Sequence, residues 1–248
     1  MDFLTGAFFA VAALSLVAGA VRGFVGFGAG MIMIPVISAM YGPKIGASSI
    51  LIADGVLTIP YLLKSIRHCE PRTVFPVALA AVIAIPIGTY LLGIVDPIPL
   101  RWSLVPIIAA LLLLTLSGWR YRNAPSIGMS LAAGATSGLL SGLIQLSGPP
   151  VVALWISGPS APATIRANIF VYFGVTTVVA VVSYVIGGIF GAGLIQVLMP
   201  MIPCYAVGLA FGGRMFGKVN PKVYRWVAVG LIGLAVISSL PILDRYLR

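Results

Sequence analysis

The chain has 248 residues, of which 60% are hydrophobic and only 8% charged, with a mean hydropathy of +1.12. Soluble domains carry about 25% charged residues, so this composition excludes a soluble globular protein. The formal charge of +10 does not point to nucleic acid either: the 15 lysines and arginines sit in short connections between apolar runs, with no basic stripe interleaved with aromatics.

Apolar segments are predicted at about 4–21, 23–40, 46–63, 73–95, 101–119, 127–145, 146–157, 164–189, 191–211 and 223–243. The first begins with Asp2 and no basic residue, so it reads as part of the fold rather than as a signal peptide. Turns at Tyr41–Lys44 and around Asp96, and polar connectors at Lys64–Arg72, Trp119–Asn123, Gly158–Pro162 and Arg214–Pro221, separate the runs. Basic residues concentrate in 64–72, 120–122 and 214–225, which places these three connections in the cytoplasm. The uncharged Gly187–Gly193 connection and the Asp96 turn then lie outside, and both termini face outward.

One glycine-rich pattern occurs twice. Ser15, Ala18, Gly19, Ala20, Gly23 and Pro35 match Ser130, Ala133, Gly134, Ala135, Gly138 and Pro150 at a constant displacement of 115 residues, and Gly55–Thr58 matches Gly174–Thr177 at 119. The loop orientations make the two copies enter from opposite sides. The expectation is an all-α polytopic membrane protein of two inverted repeats, 1–122 and 123–248, each a Gly/Pro-broken helical hairpin followed by three transmembrane helices, forming one membrane-embedded domain. Such repeats with interrupted helices point to a transporter binding site. The short hairpin arms favour kinked or partly re-entrant helices over two full crossings.

Broken helices expose free N–H groups and the positive end of a helix dipole, a ready anion site. Gly26, Gly28 and Gly148 are candidate substrate-contacting glycines, and Pro35, Pro149 and Pro150 candidate helix breakers. The competing reading for any single glycine is close helix packing, as in the Gly19/Gly23 and Gly134/Gly138 pairs. Arg22 is a charge inside an apolar hairpin, by default functional, unless it snorkels to an interface. Gln145 and Ser147 at the second bend, together with Arg166 and Asn168 at the start of the following span, complete the candidate substrate contacts. Arg166 also reads as a cytoplasmic-side charge. Asp54, an acid deep in a span, is a candidate for proton coupling or gating, or a structural partner for Arg22. The two cysteines and single histidine have no metal-ligand spacing, so neither metal nor cofactor is expected. No nucleophile elbow, P-loop or metalloprotease motif is present, which argues against an enzyme.

The stretch Gly23-Phe-Val-Gly-Phe-Gly-Ala-Gly-Met-Ile-Met-Ile-Pro35 resembles the first-repeat motif of the TauE/SafE sulfite exporter family, also called the toluene sulfonate uptake permease family. Gly138-Leu-Leu-Ser-Gly-Leu-Ile-Gln-Leu-Ser-Gly-Pro-Pro150 looks like its second motif. The resemblance implies a transporter in the bacterial inner membrane for sulfite, sulfoacetate or another organosulfonate; relatives are assigned both export and uptake, and export is the expected direction. The inverted repeat implies alternating access, and Asp54 makes protons a candidate coupling partner. Membrane lipids are the surroundings, and a homodimer is one candidate assembly. A passive anion channel and a non-transport membrane assembly subunit are the rival readings.

Overall fold

The computed structural model describes residues 6–94, 106, 110, 113, 121, 124–216 and 218–239. Most of the predicted span at 101–119 and of the 120–122 connector, the Asp96 turn and the boundary between the two repeats lie outside the described residues. Among those described, every regular element is a helix: α1 (Gly6–Val25), α2 (Ala29–Tyr41), α3 (Pro43–Leu57), α4 (Ile59–Ser65), α5 (Pro71–Ile94), α6 (Ile127–Ile144), α7 (Gly148–Ile156), α8 (Pro162–Ile186), α9 (Leu194–Phe216) and α10 (Pro221–Ser239). Prolines sit in the first turn of α3, α4, α7 and α8, where a missing N–H removes no helical bond.

Five of these helices, α1, α5, α6, α8 and α9, are long and apolar enough to cross a bilayer, and the bent pair α3–α4 makes a sixth candidate. Their outer faces carry large exposed side chains such as Phe75, Ile83, Val178, Ile195 and Phe211, as lipid-facing surfaces require. The chain is therefore a multi-pass membrane protein. The 54° bend between α3 and α4 has a local cause. Pro60 cannot bond to the Val56 carbonyl and its ring crowds it, while the Thr58 hydroxyl turns back onto the Asp54 carbonyl at 2.6 Å.

The second arms of the two hairpins do not match the first arms in length. α2 has 13 residues and α7 only 9, about 20 and 13 Å at 1.5 Å per residue, against about 30 Å of hydrocarbon. The breaks fall at Gly26–Gly28 and Gln145–Ser147. Pro35 is not a breaker: it lies inside a continuous α2. Positive φ at Gly26 (94°) and Gly28 (102°) turns the chain instead, conformations open to glycine at little steric cost. Pro149 and Pro150 start α7 rather than end α6. The breaks stand 119 residues apart, not 115, because α6 runs one further helical turn beyond Gly138 before it stops. Pro35 and Pro150 are thus not counterparts in space.

Two glycine seams hold the bundle. A Cβ on Gly19 would stand 2.3 Å from the Tyr205 carbonyl oxygen and one on Gly23 2.2 Å from that of Leu209. From the other side, Gly208 and Gly212 face the Leu16 and Ala20 carbonyls. These contacts seal α1 to α9. The second seam seals α6 to α5: a Cβ on Gly134 would meet the Val77 oxygen at 2.2 Å, and one on Gly142 that of Ile85 at 2.2 Å. Such close backbone approach is how helices gain packing energy where lipid is as apolar as leucine. Two apolar cores follow the seams. One joins α1, α2, α3 and α9 through Ala18, Met33, Ile37, Ala53 and Met201; the larger joins α5, α6, α7, α8 and α10 through Val77, Leu140, Val152, Ile169 and Ala228.

Candidate functional site

The two breaks abut. A Cβ on Gly30 would stand 2.8 Å from the Gln145 carbonyl oxygen, and one on Gly148 2.9 Å from the Phe27 ring. Between them lies a cavity of about 50 Å³, room for a few waters or one compact ion. Residues Phe27–Met31 line it from the first break and Gln145–Gly148 from the second. Arg22, Ile50, Leu51, Asp54, Ser141, Phe173, Thr176 and Thr177 close its sides.

Arg22 dominates the electrostatics. It is 2% exposed. Nε reaches Asp54 Oδ1 at 2.7 Å and Nη2 reaches Oδ2 at 2.6 Å, a two-pronged pair that fixes both orientation and distance. Nη1 donates to the Gly26 carbonyl, and the guanidinium packs on the Phe173 and Phe170 rings at 4.5 and 5.1 Å. An arginine at the centre of a spanning helix costs about 2.5–3.5 kcal/mol on insertion scales; the carboxylate and the two rings offset that cost. The Asp54 side chain keeps 17% exposure and also accepts from the Tyr205 hydroxyl. Sequence reasoning missed Tyr205: an aromatic in an apolar helix looks like packing until its hydroxyl is seen on a carboxylate.

The donors that an anion could use are unequal at the two breaks. At the N-terminus of α2, Ala29, Gly30 and Met31 line the cavity, and their amides precede the first helical bond. At α7, Pro149 and Pro150 remove two of the corresponding donors and leave Ser147 and Gly148. The second break compensates with side chains. Gln145 closes α6 in the left-handed region at φ 53°, with its own N–H on the Ser141 carbonyl at 3.1 Å and Leu146 N–H on the Leu140 carbonyl at 3.3 Å, a left-handed helix end. Its Nε2 is buried without a hydrogen-bond partner among the described residues. The Ser147 carbonyl accepts from the Ser137 hydroxyl, which in turn accepts from Tyr172 at 2.7 Å.

Of the expected contacts, Arg22, Gly28, Gln145, Ser147, Gly148 and Asp54 are brought together around the cavity. Gly26 lies at its edge, its carbonyl held by Arg22. Arg166 and Asn168 do not line it. The Arg166 Nη2 donates to the Gly23 carbonyl at 2.6 Å, and its guanidinium lies over the Phe216, Phe170 and Tyr61 rings at 4.5, 5.0 and 5.7 Å. It braces the end of α1 from behind, with Tyr224 doing the same at the Val25 carbonyl. Asn168 is fully buried and accepts from the Glu70 amide at 2.7 Å, which caps the start of α5. The Glu70 carboxylate takes the Ser160 hydroxyl at 3.1 Å. Burial, and after it the same carboxylate, push the nearby Tyr121 phenol up to about 12, so it stays a neutral donor to the Leu154 carbonyl at 2.7 Å. Among the described residues no group of His, Cys, Asp and Glu is spaced to hold a metal ion.

Residues 11–239 match the family model described as sulfite exporter TauE/SafE. A protein of Cupriavidus necator described as probable sulfite/organosulfonate exporter TauE is 25% identical over 232 residues, covering 89% of each chain. No solved structure matches.

Proposed function

Because the chain belongs to the sulfite exporter TauE/SafE family, whose members are membrane transporters and not enzymes, we propose that it carries a small sulfur-containing anion outward across the bacterial inner membrane by alternating access. Sulfite, sulfoacetate and other organosulfonates are the candidate cargoes; the Cupriavidus necator relative's description supports this class. The observation that carries the reading is the cavity where two helix breaks meet, with Arg22 and the first turn of α2 on its wall. The α2 amides and Arg22 supply positive potential, and Gln145 and Ser147 supply hydrogen bonds. Asp54 is the proposed proton-coupling group.

The inverted repeat, with halves 1–122 and 123–248, is supported by the two breaks at one displacement and by two seams of the same design. Loops 64–72, 120–122 and 214–225 face the cytoplasm and both termini face the periplasm in this reading. Rocking of one sequence half against the other would tear both seams, since each seam joins one half to the other. Relative motion of α1–α2–α3–α9 against α5–α6–α7–α8 leaves both intact and opens the cavity between them, so these are the proposed moving bodies.

Flux of sulfite and of methanesulfonate into proteoliposomes tests the reading. Saturable flux abolished in Arg22→Gln is expected. Flux equal in wild type and Arg22→Gln removes the site assignment, linear flux replaces the carrier with a channel, and absence of flux for every sulfur anion favours an assembly subunit.

A further inference from the structure

Arg22 is the strongest cation on the cavity wall, and it is already taken. Asp54 holds its Nε–Nη2 edge with both carboxylate oxygens, the geometry in which a sulfite or sulfonate would itself be held. Both residues line the same cavity of about 50 Å³, so an anion inside it lies within a few ångström of the carboxylate. At such a distance like charges repel by several kcal/mol at the effective dielectric of about 20 that suits protein sites.

Resting on the transport reading above, we infer that Asp54 is a tethered competitor of the cargo: it occupies Arg22 while the carrier is empty, and the anion loads when the carboxylate withdraws or takes up a proton. The groups that face Asp54 are Arg22 from α1, the Tyr205 hydroxyl from α9 and, from α8, Phe173 with Arg166 behind the shared Phe170 ring; the described residues of α2 bring no titratable group to it. The Tyr205 hydroxyl donates to the same carboxylate and so helps to hold it on Arg22. The sign of the consequence is unusual for a residue in a binding site. Removing the Asp54 charge strengthens anion binding, and loading an anion promotes proton uptake.

The test is calorimetric titration of the purified, detergent-solubilised protein with methanesulfonate, whose own charge does not change between pH 5.5 and 8. Wild type is expected to bind at least tenfold tighter at pH 5.5 than at pH 8. Asp54→Asn is expected to bind at pH 8 at least as tightly as wild type does at pH 5.5, with the pH dependence gone. Tyr205→Phe keeps the carboxylate but removes one of the groups that hold it, and is expected to bind methanesulfonate more tightly than wild type at pH 8; it serves as the readout if Asp54→Asn does not fold. Equal or weaker binding by Asp54→Asn, or a pH-independent wild type together with a Tyr205→Phe that binds no tighter than wild type at pH 8, overturns the inference while leaving the site if Arg22→Gln still abolishes binding. Failure of wild type and Asp54→Asn alike to bind methanesulfonate or sulfite at either pH overturns the site itself.

Discussion

The two helix breaks share one backbone plan and differ in chemistry. Each interrupts a hairpin over three residues, and each is followed by a short helix whose N-terminus faces the same cavity. The first is built from glycines, presents three free amides and is flanked by the Arg22–Asp54 pair. The second is built from Gln145, Leu146 and Ser147, and its helix opens with two prolines. At the displacement of 119 that superposes the breaks, Ser141 and Phe173 stand where the first half has Arg22 and Asp54. The two breaks therefore share a backbone plan, while among the described residues the charges on the cavity wall, Arg22 and Asp54, both come from the first 122 residues. A small anion needs one focus of positive potential; a second arginine facing the first would raise the cost of the empty site.

The largest expected effects are at the shared feature. Gly23→Leu and Gly138→Leu each drive a side chain into backbone atoms of the facing helix, at 2.2 Å from the Leu209 oxygen and 2.7 Å from Ala81. Both should lose folded protein on size-exclusion chromatography, and to a similar degree; a tolerant second seam would break the equivalence. Next comes the charge. Arg22→Ala leaves Asp54 without its cation, and removing one partner of a buried pair costs about 3–5 kcal/mol, less here because the carboxylate is partly exposed. A fall in melting temperature is expected, with Arg22→Ala/Asp54→Ala recovering most of it but no transport. The corresponding Ser141→Ala should melt within a degree or two of wild type.

Smaller effects separate the break residues. Gly28→Ala places a side chain in the left-handed region, costing about 1–2 kcal/mol, whereas Gln145→Gly relieves that region and should raise the melting temperature while weakening anion affinity. Asn168→Ala should cost about 1 kcal/mol as a lost cap and leave the affinity of the folded fraction unchanged; a large affinity loss would return Asn168 to the cargo path. The smallest change is Pro149→Ala, which restores one amide at the second break and should tighten methanesulfonate binding less than threefold.

The span pattern was legible because the bilayer demands long apolar runs and the basic residues mark their ends. Arg22 was legible as a charge where none is cheap. The register of the repeat was not, for a specific reason: Gly134, Gly138 and Gly142 recur every four residues, so displacements of 115 and 119 both lay glycine on glycine, and only the position of the breaks decides between them. Pro35 misled because a proline in the second turn of a helix can be accommodated by its neighbours. Asn168 looked like a binding residue because its partner, the Glu70 amide, lies 98 positions away in sequence. Tyr205 gave no signal at all among the apolar residues of α9.

The seams carry one more consequence, for how the chain can be cut. Among the described residues, 6–25 find their glycine-fitted partner in 194–216, and 71–94 find theirs in 127–144. A gene divided near its middle would yield two polypeptides, each exposing a row of small residues shaped for a helix it does not own. Neither should persist alone in a membrane, yet the two made together should assemble, each completing the other's bundle.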